Sequence, residues 1–120
     1  MRDPTRGGLA GALCELAAAS GVGVEIDERA VPLVPPVKAA CELLGLDPLY
    51  VANEGKLIAV VPADEADAGL AALQAHPLGR RACRLGHVTD DHAGTVLLRT
   101  LIGGRRVVTL LPGEQLPRIC

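Results

Sequence analysis

Apolar residues recur at steps of three and four in three stretches of the chain, and this spacing predicts helices with one buried face. The first stretch covers residues 8–20 and is followed by Gly21, which favours a helix end. The second begins in the proline-rich segment 32–36, because prolines are tolerated in a first helical turn, and ends at Gly45. The third covers residues 64–75 and has acidic residues in its first turn. We expect about three helices.

Alternating or continuous apolar runs between and after these helices predict strands. Residues 22–27 alternate between apolar and polar, and the β-branched run 56–61 is typical of a buried central strand. Three further strands are predicted at 83–89, 95–102 and 106–111.

Two short turn segments, 91–94 and 103–104, are predicted as hairpin turns between the last three strands. The expected fold class is α+β, with a mixed, largely antiparallel sheet packed against the helices. One domain is expected over residues 1–111, since a chain of 120 residues is within the usual size of a single domain.

Residues 112–120 contain two prolines and one glycine, a composition that opposes both helix and sheet hydrogen bonding. We expect them to form a flexible tail that carries the terminal cysteine. At about 3.3 Å per residue, this tail could carry the terminal sulfur roughly 25–30 Å from the last strand.

Composition indicates an aliphatic core, because the chain is 49% hydrophobic but has no Trp or Phe and one Tyr. The net charge of −2 comes from interspersed acids and bases, without a basic block for nucleic acid. Tyr50 alone also cannot form a row of stacking platforms for single strands. The apolar runs are too short to span a bilayer, so we expect a soluble, cytoplasmic protein.

The opening segment combines the positive charges of Arg2 and Arg6 with two glycines at the start of the first helix. Asp3 and Thr5 are cap-forming residue types, and the free amides of a helix start could face an anion. An ordinary helix cap beside a tight turn explains the same residues, so two interpretations are open.

Glu54 follows Asn53 at a predicted junction between a loop and a strand, where a carboxylate can be held and still reach a ligand. It could act as a base if its surroundings raise its pKa. The alternative is a solvated acid in a turn.

The only clustered metal-ligand types are His87, Asp90, Asp91 and His92, and we interpret them as turn residues rather than a metal site. The four cysteines are widely spaced, which favours reduced thiols. Those on predicted apolar faces, expected to be structural, are Cys14, Cys41 and Cys83. Cys120 differs, because the end of a proline-interrupted tail cannot help to fill a core; a chance terminal cysteine is the alternative.

Three segments together resemble the HypE family of hydrogenase-maturation carbamoyl dehydratases, namely Asp-Pro-Thr-Arg-Gly-Gly at 3–8, Ala-Asn-Glu-Gly at 52–55 and Pro-Arg-Ile-Cys at 117–120. The chain is similar over essentially its whole length to the carboxy-terminal domain of that family. This family belongs with aminoimidazole ribonucleotide (AIR) synthetase and selenophosphate synthetase among ATP-using enzymes, and the Pro-Arg-Ile-Cys ending separates it from those relatives.

The resemblance implies that a partner carbamoyltransferase loads Cys120 with a carboxamide, which ATP then converts to a thiocyanate whose cyano group goes to the iron of a [NiFe] hydrogenase. It implies that Cys120 is the carrier nucleophile and that Glu54 helps to remove an amide proton, with Asn53 and Arg118 in support. The residues implied to line the phosphate side are Arg2, Asp3, Thr5, Arg6, Gly7 and Gly8.

The sequence departs from the family by lacking the amino-terminal domain, which the resemblance implies to hold most contacts to ATP and magnesium and the dimer interface. We therefore expect that the chain alone dehydrates nothing and binds ATP weakly at best. The implied partners are the carbamoyltransferase, an iron-carrying hydrogenase maturation complex and an amino-terminal ATP-binding domain or homodimer partner. The alternative function is a noncatalytic anion-binding or docking module of such a complex.

Overall fold

The computed structural model of the chain describes residues 1–110, so the predicted tail at 112–120 lies outside the described residues. The helices are α1 (Gly8–Ser20), α2 (Pro35–Leu44) and α3 (Ala66–Ala75), and the strands are β1 (Gly23–Asp27), β2 (Gly86–Thr89), β3 (Val96–Arg99) and β4 (Arg105–Val108). Short 3₁₀ turns precede or follow several of these elements. The predicted α+β fold with a mixed sheet is confirmed.

The helix ends follow the glycine and proline signals of the sequence. Gly21 and Gly45 end α1 and α2 in the left-handed conformation, at φ 65° and 68°. Proline occupies the first turn of α2, where a backbone N–H has no helical partner. These local signals decided the helix boundaries, which is why α1 and α2 were predicted well.

The four strands form one sheet in the order β2-β1-β3-β4. β1 is antiparallel to β2 and parallel to β3, and β3 is antiparallel to β4. β1 is therefore the strand through which the two halves of the sheet are joined.

The segment 91–94 does not form the predicted hairpin, because β2 and β3 lie on opposite sides of β1. It crosses the start of β1 instead, where Gly94 donates to the carbonyl of Val22 at 2.8 Å. Gly23 leaves room for this crossing, since a Cβ there would lie 2.0 Å from the carbonyl oxygen of Asp91. The turn between β3 and β4 at 103–104 is a hairpin as predicted.

The predicted central strand at 56–61 was wrong. Only Ile58 pairs, in an isolated antiparallel bridge with Arg2, and Leu57 and Val60 are 56% and 57% exposed. A β-branched run indicates a strand only if a neighbouring strand supplies its hydrogen bonds, and both sides of β1 are occupied by β2 and β3.

The core lies between α1 and one face of the sheet and is aliphatic, as predicted. Its buried residues are Ala10, Leu13, Ala17, Val24, Ile26, Leu49, Val96, Leu98 and Val108. Alternation along β1 directs Val24 and Ile26 to this core and Glu25 to the other face. No helix within residues 1–110 is long and apolar enough to cross a membrane.

The described cysteines differ in burial. Cys41 is buried and Cys14 is half-buried, as expected of small core residues. Cys83 is exposed and lies before β2 rather than in it, so its predicted place on an apolar face was wrong. Its thiol donates to the carbonyl oxygen of Ala30 at 3.3 Å.

Candidate functional site

The two internal motifs that the sequence singled out meet in the folded chain. The backbone N–H of Asn53 donates to the carbonyl oxygen of Pro4 at 3.0 Å. Arg2 and Ile58 exchange two backbone hydrogen bonds, of 2.9 Å and 2.7 Å. The opening segment and the loop 52–55 therefore lie side by side, although about fifty residues of sequence separate them.

Gly8 allows a second close approach between the same two parts of the chain. Its φ is 64°, and a Cβ at this position would lie 2.5 Å and 2.6 Å from the carbonyl oxygens of Leu49 and Val51. Any side chain would push the start of α1 away from the segment that leads to Asn53. A glycine is thus required here by both conformation and space.

The N-cap of α1 is Gly7, so neither Asp3 nor Thr5 occupies the capping position that their residue types suggested. Asp3 and Arg6 are exposed, and Thr5 is half-buried. The first N–H groups of an α-helix have no partner within the helix. The start of α1 therefore combines such amides with side chains that solvent can reach.

Arg2 forms a salt bridge with Glu15 of α1. Both side chains are close to half exposed, at 47% and 43% of their area. Sequence reasoning missed Glu15, because nothing in the spacing of the two residues marks them as partners. An anion that binds Arg2 must compete with this carboxylate.

The loop 52–55 presents Glu54 to solvent, while Asn53 is half-buried. The side-chain oxygen of Asn53 accepts a hydrogen bond of 2.7 Å from the ammonium group of Lys56. Since no strand follows, the predicted loop-to-strand junction was wrong, but the carboxylate of Glu54 is accessible to a ligand.

Tyr50 connects this loop region to the end of the described chain. Its hydroxyl donates a hydrogen bond of 2.7 Å to the carbonyl oxygen of Thr109. Sequence reasoning considered Tyr50 only as a stacking platform and missed this contact. The available signal was a single aromatic residue shortly before the Asn53-Glu54 pair.

Cys120 and Arg118 lie outside the described residues, so their positions relative to Glu54 stay predictions. The described sequence-predicted residues that the structure brings together are Arg2, Asp3, Thr5, Arg6, Gly7, Gly8, Asn53 and Glu54.

A separate group of polar residues lies on the sheet face opposite the core. His92 contacts the Glu25 carboxylate through Nε2 at 3.2 Å, and Nε2 of His87 lies 3.6 Å from its other oxygen. The hydrogen bond from His92 lowers the pKa of Glu25, and the nearby Arg105 adds to the effect. A shallow depression of about 210 Å³ lies beside these residues.

Their clustering in the sequence with Asp90 and Asp91 suggested that His87 and His92 are turn residues. In the folded chain both histidines contact the carboxylate of Glu25. The described residues contain no group of three or more His, Cys, Asp or Glu side chains that could hold a metal ion. The Nδ1 atom of His92 is buried and has no hydrogen-bond partner within residues 1–110. The group ties β2, β1 and the crossing turn together.

Comparison with known proteins decides the family. Residues 1–99 match the family model described as AIR synthase related protein, C-terminal domain. The chain belongs to this family. The matched residues include both segments of the site, 2–8 and 52–58. The predicted resemblance is confirmed.

The relatives narrow this resemblance to hydrogenase maturation proteins. The chain is 62% identical over 120 residues to the carbamoyl dehydratase HypE of Cupriavidus necator and covers 34% of that protein. It thus spans about a third of the length of the curated relatives that it matches, and it corresponds to their carboxy-terminal part.

Two crystal structures of similar proteins contain a ligand or a partner. One is the hydrogenase maturation protein HypE in complex with ATP, with a TM-score of 0.91 and 48% identity over 99% of this chain and 37% of that one. The other is a HypE–HypF complex, with a TM-score of 0.86 and 42% identity over 92% of this chain and 35% of that one.

Proposed function

We propose that the chain is the carrier part of a hydrogenase-maturation carbamoyl dehydratase. Cys120 receives a carboxamide group and presents it for ATP-dependent dehydration to a thiocyanate, from which the cyano group is passed to the iron of a [NiFe] hydrogenase. The observation that carries this proposal is the hydrogen bond from the N–H of Asn53 to the carbonyl oxygen of Pro4, because it joins the loop that contains Glu54 to the segment 2–8.

The chemistry begins with the thiol of Cys120, which loses its proton to solvent. The thiolate attacks the carbonyl carbon of an activated carbamoyl group, the S–C bond forms, and the C–O bond to the activating group breaks as that group leaves with the electron pair. Sulfur suits this role because thiolates are strong nucleophiles and good leaving groups. The carboxamide oxygen then attacks the γ-phosphoryl group of ATP, and ADP leaves.

Elimination completes the dehydration. One N–H proton passes to Glu54, the C–O bond breaks as phosphate leaves, and the nitrogen lone pairs complete the C≡N bond. The second N–H proton is lost with the phosphate. The net change on Cys120 is the loss of one water molecule, while ATP becomes ADP and phosphate.

The surroundings of Glu54 support its role as the base. The carboxylate is exposed, so a carboxamide carried on another segment can approach it. The neighbouring Asn53 is fixed by its backbone bond to Pro4, and its side chain is held by Lys56. A base is effective only when it is within hydrogen-bond reach of the proton that it removes.

The amino-terminal segment supports an anion-binding role beside this carboxylate. Arg2 and Arg6 supply positive charge next to the start of α1, where amides and the helix dipole favour phosphate. The residues Asp3, Thr5, Gly7 and Gly8 would line the same side. The ATP complex of a similar HypE supports ATP as the co-substrate. We further propose that magnesium accompanies ATP and is bound mostly by the part of the relatives that this chain does not span.

The complex of a similar HypE with HypF supports a carbamoyltransferase as the partner that loads Cys120. We further propose an iron-carrying hydrogenase maturation complex as the acceptor of the cyano group. The amino-terminal two thirds of the relatives, as a joined domain or a homodimer partner, would complete the ATP site.

Intact-mass spectrometry tests the proposal. The chain is incubated with a family carbamoyltransferase, carbamoyl phosphate and ATP, with and without the amino-terminal two thirds of a relative. The terminal peptide should gain a carboxamide and, only when the added part is present, lose the mass of one water molecule. Cys120→Ser should abolish the adduct, whereas Cys83→Ser removes the exposed thiol of Cys83 and should leave it unchanged.

Absence of any adduct on the terminal peptide would refute the carrier role. If Cys120→Ala leaves hydrogenase maturation intact, the chain is a noncatalytic docking module. Dehydration by the chain without the added part would show that the site is complete within these 120 residues.

A further inference from the structure

Lys56 closes the short loop that contains the candidate base Glu54. Its ammonium group donates a hydrogen bond of 2.7 Å to the side-chain oxygen of Asn53, and Gly55 bends the loop with a φ of 70°. The backbone N–H of Asn53 in turn donates to the carbonyl oxygen of Pro4 at 3.0 Å. The ammonium group is thus tied, through Asn53, to the opening segment as well as to its own loop.

The ammonium group of Lys56 has hydrogen-bond donors left for a ligand. A protonated lysine has three N–H donors, and the bond to Asn53 uses one of them. Lys56 is exposed and forms no ion pair within residues 1–110. Two N–H donors and a positive charge are therefore available to an anion that approaches this loop.

The segments 2–8 and 52–58 contain three cations, and one of them is already paired. The guanidinium group of Arg2 binds the carboxylate of Glu15 on α1. Arg6 forms no ion pair in the part of the chain that the structure describes. The positive charge that a phosphate group can use without competition is therefore that of Arg6 and Lys56.

The proposed dehydration requires such a charge close to its base. The proton that Glu54 removes is on the nitrogen of the carboxamide, and the phosphate leaves from the oxygen bonded to the same carbon. The base must be within hydrogen-bond reach of its proton, so the phosphate must lie within a few ångströms of the base. Lys56 follows Glu54 by two residues, and their Cα atoms are at most about 7 Å apart.

We propose that Lys56 is a catalytic residue, whose ammonium group binds the phosphate that leaves the activated carboxamide. As the N–H proton passes to Glu54, the C–O bond breaks and its electron pair goes to the phosphate oxygen. Lys56 donates hydrogen bonds to the phosphate, stabilises the added negative charge and keeps its own proton. This inference rests on the proposed dehydration at Cys120 and adds to it the residue that serves the leaving group.

Closing the loop is the alternative role of Lys56, and it needs less of the side chain. The bond to Asn53 needs an N–H donor, whereas binding a leaving phosphate also needs the positive charge. Lys56→Gln keeps an N–H donor and removes the charge. Lys56→Arg keeps both, so the two substitutions separate the two roles.

Nuclear magnetic resonance can observe the Lys56 side chain without any turnover, because the chain contains only two lysines. The second, Lys38, is an exposed residue of α2 and serves as the internal control. The chain is isotopically labelled at lysine, mixed with the unlabelled amino-terminal part of a relative, and titrated with inorganic phosphate at constant ionic strength. Lys38→Gln and Lys56→Gln assign the two Cε–Hε signals. The Lys56 signal should shift to saturation, and the Lys38 signal should not move.

Intact-mass spectrometry over time then measures a single turnover from carboxamide to thiocyanate. Lys56→Gln should slow this conversion about tenfold or more, the usual loss for one charge-assisted hydrogen bond, without changing the loading of Cys120. Lys56→Arg should recover most of the rate. Lys38→Gln is the matched control and should convert at the rate of the unchanged chain, and circular dichroism shows whether each variant is folded.

Equal shifts of both lysine signals, or no shift at Lys56, would overturn the proposal. So would normal conversion by Lys56→Gln, or an equal loss in Lys56→Gln and Lys56→Arg, which indicates loop closure alone. If Lys56→Gln does not fold, the titration of the unchanged chain and the rate of Lys56→Arg still decide. A saturable shift at Lys56 together with no adduct on Cys120 would instead refute the proposed function and leave the phosphate contact standing.

Discussion

The backbone N–H of Asn53 donates to the carbonyl oxygen of Pro4 at 3.0 Å. This contact joins the loop that contains Glu54, near the middle of the chain, to the segment in front of α1. Gly8 allows a second close approach between the same two segments.

Glu54→Gln should leave carboxamide loading of Cys120 intact but slow its conversion to thiocyanate by about a hundredfold or more, because the amide cannot accept the N–H proton. The measurement is the intact mass of the chain over time, with the amino-terminal part of a relative and ATP present. The carboxamide adduct should accumulate.

Glu42→Gln is the matched control, since Glu42 is an exposed acid on α2. Its conversion rate should equal that of the unchanged chain. A Glu54→Gln protein that dehydrates at the normal rate would remove Glu54 from the mechanism.

Arg6→Ala should weaken ATP binding about tenfold, the usual loss when one charge-assisted hydrogen bond to phosphate is removed. Isothermal titration calorimetry on the chain combined with the amino-terminal part of a relative measures the dissociation constant. Arg81→Ala removes a similarly exposed guanidinium elsewhere and should have no effect. Equal affinities for Arg6→Ala and the unchanged protein would contradict the assignment.

Gly8→Ala should destabilise the fold by about 2–4 kcal/mol. The alanine would have to keep the positive φ of Gly8, and its Cβ would overlap the backbone carbonyl groups of Leu49 and Val51. Urea unfolding followed by circular dichroism measures the change. A protein in which Gly8→Ala is neutral would show that α1 does not depend on this close approach.

Gly69→Ala is the matched control, and it should raise the stability of the protein rather than lower it. Gly69 lies within α3, and a Cβ there would have nothing within 4 Å. Alanine should therefore stabilise the helix by about 0.5–1 kcal/mol.

The contact between His92 and Glu25 should make stability depend on pH at the acidic end. The pKa of Glu25 is lowered in the fold, chiefly by the hydrogen bond from His92, so the unfolded chain binds this proton more readily. The contribution is fully present above the unfolded pKa of about 4.3 and is lost as the pH falls through the folded pKa.

Urea unfolding of Glu25→Gln at a series of pH values from about 6 to about 3 checks the sign. The unchanged chain should be the more stable protein at the upper end, and the difference should shrink as the pH falls below about 4.3. Glu42→Gln should show no such convergence. A difference that grows towards low pH would contradict the assignment of the shift to Glu25.

The failed strand prediction at 56–61 and the failed hairpin prediction at 91–94 have a common cause. The run 56–61 has the composition of a buried strand, and 91–94 has the composition of a hairpin turn. Both were decided by β1, which takes β2 on one side and β3 on the other, so that the turn must cross Gly23. Local patterns report the conformation that a segment can adopt, but a sheet is completed by partners that are distant in sequence.

The candidate site could likewise be predicted from the sequence only in part. Its residue types were visible in the sequence, because charged, glycine-rich and amide-carboxylate segments stand out against an aliphatic background. The adjacency of Asn53 to Pro4, the pairing of Arg2 with Glu15 and the anchoring of Thr109 by Tyr50 were not visible. The helix α1 packs against the 3₁₀ turn at Pro48–Tyr50, which leads into the loop that contains Asn53.

The sequence by itself determined the three helices, their glycine and proline boundaries, the aliphatic core and the family resemblance, because these depend on side-chain type and spacing along one segment. The tertiary structure decided the strand order, the crossing over Gly23 and the meeting of the opening segment with the loop of Glu54. Those features arise from hydrogen bonds and close approaches between segments far apart in the chain, which no local pattern encodes.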